Sequence, residues 1–275
     1  MLRAFLDAST VGQGGEKDTR HPFLAVAAWV GAIKQWSALQ GKWRKARTRS
    51  GIDYLRMADI MNPENPQYRD WSDRKRAAVI SRLIRLINKH VLFGVSVVLD
   101  LADYESLTRA EKDLTGRTPY FFGAAACIGA VARELTLRHI EEQVLYVFES
   151  GDQGEPALRT SLARFAGVSE RFRSAFHVYS VMPGTKRQFP ALDAADFLAW
   201  EITHHAYKAD RTARPFLART DLDERMKSLT VPTRGFFLDH QNFQEWVGTP
   251  EQEALLLEEL DIRRAGRQRK RKRES

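Results

Sequence analysis

The sequence predicts an α/β fold: a mixed sheet to which an N-terminal hairpin adds an antiparallel edge, with helices on both faces. Three observations predict it. Two short apolar segments near the N-terminus are separated by a polar, Gly-rich stretch. Later segments rich in β-branched residues alternate with segments of helical period, the pattern of parallel strands joined by helices. The 275 residues, 43% of them hydrophobic, are enough to bury a substantial core.

Taken in order, "LRAFLD" (2–7) predicts a strand ending on an acid. "ASTVGQGGEKDTRHP" predicts a loop, and "FLAVAAWVG" (23–31) a buried strand, so the pair forms a hairpin. The GxGG piece of that loop can cradle a phosphate, but it lacks the Walker spacing and no helix follows it, which favours a plain hairpin loop. Residues 34–49 predict a basic helix. "DYLRMADIMNPENPQY" predicts an extended piece followed by a Pro-broken loop. "WSDRKRAAVISRLIRLINKH" predicts an amphipathic helix, with Ala78, Val79, Leu83, Leu86 and Ile87 in a 3.6-residue period and Ser72 as its cap.

"VLFGVSVVLD" predicts a strand. "TPYFFGAAACIGAVARELTLRHIEE" predicts a long helix with a small-residue surface suited to packing on a sheet. "QVLYVFES" predicts a strand that again ends on an acid, "EPALRTSLARFAG" a helix, and "RFRSAFHVYSVM" a strand. "FPALDAADFLAWEITHHAYKA" predicts a helix. Beyond it, "TVPTRGFFLDHQNFQEWVG" predicts mostly irregular chain, and "TPEQEALLLEEL" a short helix with a Thr249 cap and Gln252 completing a capping box. The expected organisation is an α/β domain over 1–210, a C-terminal extension over 211–262 packed on it, and a disordered tail over 263–275.

The net charge is +8, and the tail "RRAGRQRKRKRES" holds eight Lys/Arg and one Glu, or +7, leaving about +1 for the rest of the chain. Such a segment has nothing to bury and is suited to phosphate backbones, above all through Arg269, Lys270, Arg271, Lys272 and Arg273. Nucleic acid is the expected partner; an anionic protein, or no target, are the alternatives. No apolar run approaches the roughly 20 residues of a membrane helix, so no membrane partner is expected. One cysteine, Cys127, allows no intrachain disulfide and fits a cytoplasmic protein; its apolar neighbours mark it as a small buried hydrophobe.

The carboxylates carry the chemistry. In an open α/β sheet, ligands gather at the carboxyl ends of the strands. Asp7 ends the first strand, Glu149 ends a later one with Asp152 just beyond, and Asp193 and Asp196 open the last helix of the alternating run. Each has a structural explanation: a turn cap with Ser9 and Thr10 for Asp7, a pair with Arg159 for Glu149, helix-start chemistry for Asp193 and Asp196. Together they favour a divalent site, with Mg²⁺ or Mn²⁺ as the cofactor suited to hard oxygen ligands and to phosphodiester cleavage. On the helical wheel Asp193, Asp196, Trp200 and His204 share a face. Trp200 can stack on a base or fill core, and His204 can ligate, carry a proton or simply pack.

"FLDAST", "YLRMADI", "VFESGD" and "FPALDAADFLAWE" resemble the DUF3800 family over about residues 3–210. Pro190, Leu192, Ala195 and Asp196 fit its Pro-Leu-Gln-x-Ala-Asp-Leu-like helix start, with Asp193 in place of the Gln. Asp7 and Ser9 fit its first-strand Asp-Glu-Ser-Gly pattern. The resemblance implies a ribonuclease-H-like fold and a nuclease-like site, with Asp7, Glu149 and Asp196 as the catalytic acids and Asp152 or Asp193 as a further metal ligand. The chain departs from the pattern at Ala8, where a second acid is usual, at Thr10, where Gly is usual, and at Arg56, where a His is common; Asp59 falls on that motif's Asp. Two functions follow as expectations: a metal-dependent phosphodiesterase, or a catalytically degraded nucleic-acid- or protein-binding module of a mobile-element or phage-defence system.

Overall fold

The computed structural model describes residues 1–11, 23–109, 112, 118–151, 156, 160, 170–211 and 224–238. The hairpin strands are β1 (Leu2–Val11) and β2 (Phe23–Ala32), followed by helices α1 (Ile33–Ser50), α2 (Met57–Met61) and α3 (Asp73–His90). Then come β3 (Phe93–Asp100), α4 (Leu101–Ser106), α5 (Pro119–Leu137), β4 (Val144–Glu149), α6 (Glu170–Ala175) and β5 (Val178–Gly184). The last described elements are α7 (Leu192–Arg211), α8 (Glu224–Lys227) and β6 (Thr233–Leu238).

Six strands form one mixed sheet in the order β5-β4-β1-β2-β3-β6. β2 runs antiparallel to both β1 and β3, whereas β1–β4, β4–β5 and β3–β6 are parallel. The hairpin is therefore the centre of the sheet and not an antiparallel edge. The residues account for this: nine of the ten side chains of β2 are buried, which requires strands on both sides and helices on both faces.

Alternation along the central strands sorts the core into two halves. Phe5, Ala25, Ala27 and Trp29 face a layer built from α1, α3 and α7. Ala4, Leu6, Leu24, Val26, Ala28 and Val30 face α5. Asp7 follows Phe5 by two residues, so it points to the α7 side. α7 lies across β1 and β2, where Ala194, Ala195, Ala199 and Ala206 permit close approach and Trp29 donates its indole N–H to the Ala194 carbonyl at 2.8 Å. Gly94 sits opposite Trp29 in the β2–β3 register, leaving room for the indole ring.

Several expectations shift. The region beyond residue 210 is more than an extension packed on the domain, since Thr233–Leu238 adds a parallel edge strand beside β3; its "TRGFFL" sequence is too short to show strand period against its polar flanks. The segment expected as a strand over 171–182 divides into α6 and β5, with His177 in the left-handed region (φ 53°) turning the chain between them. "YLRMADI" ends in the short helix α2. α5 is long and apolar enough to cross a membrane by length and composition, contrary to the reading that no run approaches that length, yet two thirds of the apolar window is buried in the structure. The Gly-rich loop, the expected helix over 155–167 (of which only Pro156 and Thr160 are described), the 249–260 helix and the basic tail lie outside the described residues.

Candidate metal centre

Three parallel strands deliver the site. β1 carries Asp7 near the point where it parts from β4; the β1–β4 register pairs Leu6 with Phe148, and the next residues along are Asp7 and Glu149. Glu149 in turn pairs with Gly184 at the end of β5. α7 then brings Asp196 from above. Ligand oxygens of Asp7, Glu149 and Asp196 lie within 4.8 Å of one another, at the carboxyl ends of the strands where α/β sheets bind ligands.

A lysine stands among them. Lys186, two residues past the end of β5, places its Nζ 2.8 Å from Asp7 Oδ2 and 3.1 Å from Asp196 Oδ1, and in contact with Glu149 Oε2. It is 6% exposed. Burial alone would lower its ammonium, but Asp7, Asp196 and Glu149 together hold it well above the ordinary lysine value. Burial pushes the Asp196 carboxyl up; Lys186 and the Met57 amide oppose this, and Glu149 adds to it. Three carboxylates against one ammonium leave a formal charge of −2.

The second oxygens of the two aspartates are spoken for. Asp7 Oδ1 accepts from the Ala8 amide at 2.7 Å, and Asp196 Oδ2 accepts from the Met57 amide at 2.6 Å. The oxygens turned inward are thus the ones gathered round Lys186. The donor set is all hard oxygen, the fit required by a divalent cation. The triad can hold a metal ion.

Asp193 is not part of this cluster. It is fully buried, and its carboxylate faces α1: Arg47 donates from Nε and Nη2 at 2.8 and 2.7 Å, the Trp43 indole at 2.8 Å and the Leu55 amide at 2.9 Å. Burial drives this carboxyl upward, while Arg47, Trp43 and Leu55 pull it down. All four neighbouring groups are donors, so none can accept a proton from a neutral acid, and the geometry serves the carboxylate. Expected as a metal ligand, Asp193 instead locks α7 to α1. The physical reason is angular: residues three apart on a helix differ by about 60°, enough here to address different neighbours.

Both acids meet the same stretch of chain. Leu55 and Met57 are both fully buried, and their amides, two residues apart on extended backbone, bond Asp193 and Asp196 respectively. Arg56 between them is exposed and lines the pocket over the triad. That pocket, of about 570 Å³, also has Ala8, Tyr54, Ser150 and Arg187 in its walls. Ala8 and Arg56, where the resemblance places an acid and a His, therefore both border the site.

The other sequence candidates fall elsewhere. Trp200 stacks on His204 with ring centroids 3.8 Å apart, under the Arg225 guanidinium. His204 Nδ1 lies 2.9 Å from the Trp200 carbonyl, and burial lowers its imidazole from the usual value. Neither belongs to the carboxylate cluster. Asp152 and the tail residues Arg269–Arg273 lie outside the described residues. Sequence reasoning missed Lys186, Trp43 and Arg47. A signal existed for Lys186, since it lies two residues past the end of β5, beside the strand-terminal Glu149. No protein-family model matches the chain, and no curated protein matches it.

Proposed function

We propose that this protein is a metal-dependent phosphodiesterase of nuclease type, built on a ribonuclease-H-like sheet and acting on RNA or DNA. The observation that carries the reading is the Asp7–Glu149–Asp196 cluster, where β1, the end of β4 and the start of α7 meet, opening into a pocket walled by Arg56 and Arg187. Mg²⁺ or Mn²⁺ is the cofactor these ligands suit; when bound, it supplies activation of water and neutralisation of charge at phosphorus. The chain's own residues do the rest. The Ala8 and Met57 amides hold the outer oxygens of Asp7 and Asp196, which leaves the inner oxygens turned toward one another. Arg56 and Arg187 stand where an anionic backbone enters. The basic tail adds sequence-independent affinity that falls steeply with salt.

A second reading rests on Lys186. Its ammonium already satisfies all three carboxylates, as it would in a binding module that cleaves nothing. One experiment separates the two. Labelled single- and double-stranded RNA and DNA are incubated with the purified protein in Mg²⁺, Mn²⁺ or chelator. The phosphodiesterase reading expects cleavage that requires a divalent ion and is lost in Asp7→Asn and Glu149→Gln at unchanged circular dichroism. Binding without cleavage under every metal condition supports the module, and cleavage retained in Asp7→Asn refutes the assignment of that residue.

A further inference from the structure

Lys186 and a divalent cation cannot share this site. A hard cation would draw the inner oxygens of Asp7, Glu149 and Asp196 to about 2.0–2.2 Å around one point. The Lys186 Nζ is already in contact with all three of those oxygens. The two outward oxygens of the aspartates are held by the Ala8 and Met57 amides and offer no alternative set. The backbone cannot carry the lysine away. The Lys186 carbonyl accepts from Arg47 Nη2 at 2.9 Å, and the turn around it is closed by the Phe189 amide on the Thr185 carbonyl and by Gln188 Oε1 on the Thr185 amide. Exit is therefore by side-chain torsions alone, and Lys186 itself lines the pocket into which it would turn.

We propose that Lys186 is an exchangeable counter-ion of the carboxylate triad: a divalent cation displaces its ammonium, which turns into the adjoining pocket and joins Arg56 and Arg187 against the phosphate of the ligand. The proposal rests on the metal reading above. It gives Lys186 two roles. Before the metal arrives it keeps three carboxylates from repelling one another apart; afterwards it is a third cation for the substrate, supplied only when the metal is in place.

The first test uses the wild-type protein. Reductive methylation of lysine amines is followed by peptide mass analysis, with and without saturating Mn²⁺. Lys186 is expected to be protected without the ion and modified with it. The second is calorimetric titration of Mn²⁺ into wild type, Lys186→Met and Asp196→Asn. Removing the competing charge is expected to tighten binding about tenfold or more in Lys186→Met, and Asp196→Asn to abolish it. If Mn²⁺ binds wild type through Asp196 while Lys186 stays protected and Lys186→Met binds no tighter, displacement is wrong and the metal site stands. If only Lys186→Met binds Mn²⁺, Lys186 is a permanent counter-ion and the exchange is refuted. If neither wild type nor Lys186→Met binds, the metal reading itself falls.

Discussion

Asp193 and Asp196 lie one turn apart on α7, and replacing each by its amide should produce opposite phenotypes. Asp193→Asn removes the charge facing Arg47, which is itself 3% exposed. The guanidinium is left buried without a counter-charge, and one carboxamide N–H is forced toward Arg47, Trp43 or Leu55, all of them donors. Breaking a buried ion pair by removing one partner costs about 3–5 kcal/mol, a large share of the roughly 5–15 kcal/mol that holds a domain together. The melting temperature should fall by about 6–20 °C. Urea unfolding followed by tryptophan fluorescence is the assay, with a lower midpoint and unchanged slope expected. Where it is still folded, this variant should bind Mn²⁺ like wild type, because the Asp193 carboxylate does not face the triad.

Asp196→Asn should do the reverse. Its carboxamide oxygen still accepts from Met57, and Lys186 keeps Asp7 and Glu149, so the stability loss should be about 1–2 kcal/mol while Mn²⁺ binding disappears. Loss of Mn²⁺ binding in folded Asp193→Asn would refute this division of labour. So would a stability cost below about 1 kcal/mol for that variant, since it would mean the Arg47 pair is not what ties α7 to α1.

Three further outcomes follow from the core. Burial, with Lys42 and Lys89 nearby, lowers the His90 imidazole, whose Nε2 lies 3.2 Å from Lys42 Nζ and accepts from it only when neutral. The unfolded chain then binds the extra proton below about pH 6.5, so stability should fall as pH drops through that value, and His90→Gln should flatten part of the fall in urea midpoints measured from pH 7.5 to 5.5. At Gly94 a Cβ would come within 2.4 Å of the Trp29 ring; Gly94→Ala should cost about 1–3 kcal/mol in the same unfolding assay, with the Trp29–Ala194 bond disturbed. Burial pushes the Cys127 thiol far above its ordinary value, so it should resist a disulfide reagent in the native protein and react on unfolding in urea.

How much of this was legible follows from which interactions are local. The hairpin strands, the Ser72-capped helix and the long helix over α5 announce themselves through period and caps, and each is present. An acid at a strand end is a positional signal, and Glu149 does end β4; Asp7, expected to end its strand, lies inside β1, which runs on to Val11, yet the two come together. What the chain did not disclose is sheet order. Whether a hairpin is edge or centre depends on which distant strands pair with it, and β4 and β3 reach it from more than 60 residues away. The strand over Thr233–Leu238 was hidden for the same reason. Its place is set by pairing with β3 and not by its own sequence.

The apolar helix with two acids is explained by what lies across from it. An extended chain presents same-side amides every second residue, about 6.5–7 Å apart, and residues three apart on a helix are about 5–6 Å apart. The two spacings are close enough for Leu55 and Met57 to serve Asp193 and Asp196 in parallel. One bonded pair then carries structure and the other carries the site. Arg47 completes the link: the same guanidinium that neutralises Asp193 also holds the carbonyl of Lys186, so the structural acid fixes the base from which the lysine reaches the triad. Helical spacing makes the two carboxylates neighbours. The chain between residues 55 and 57 separates their tasks, and that is not legible in the sequence because the segment is joined to α7 by backbone donors that have no side-chain signature.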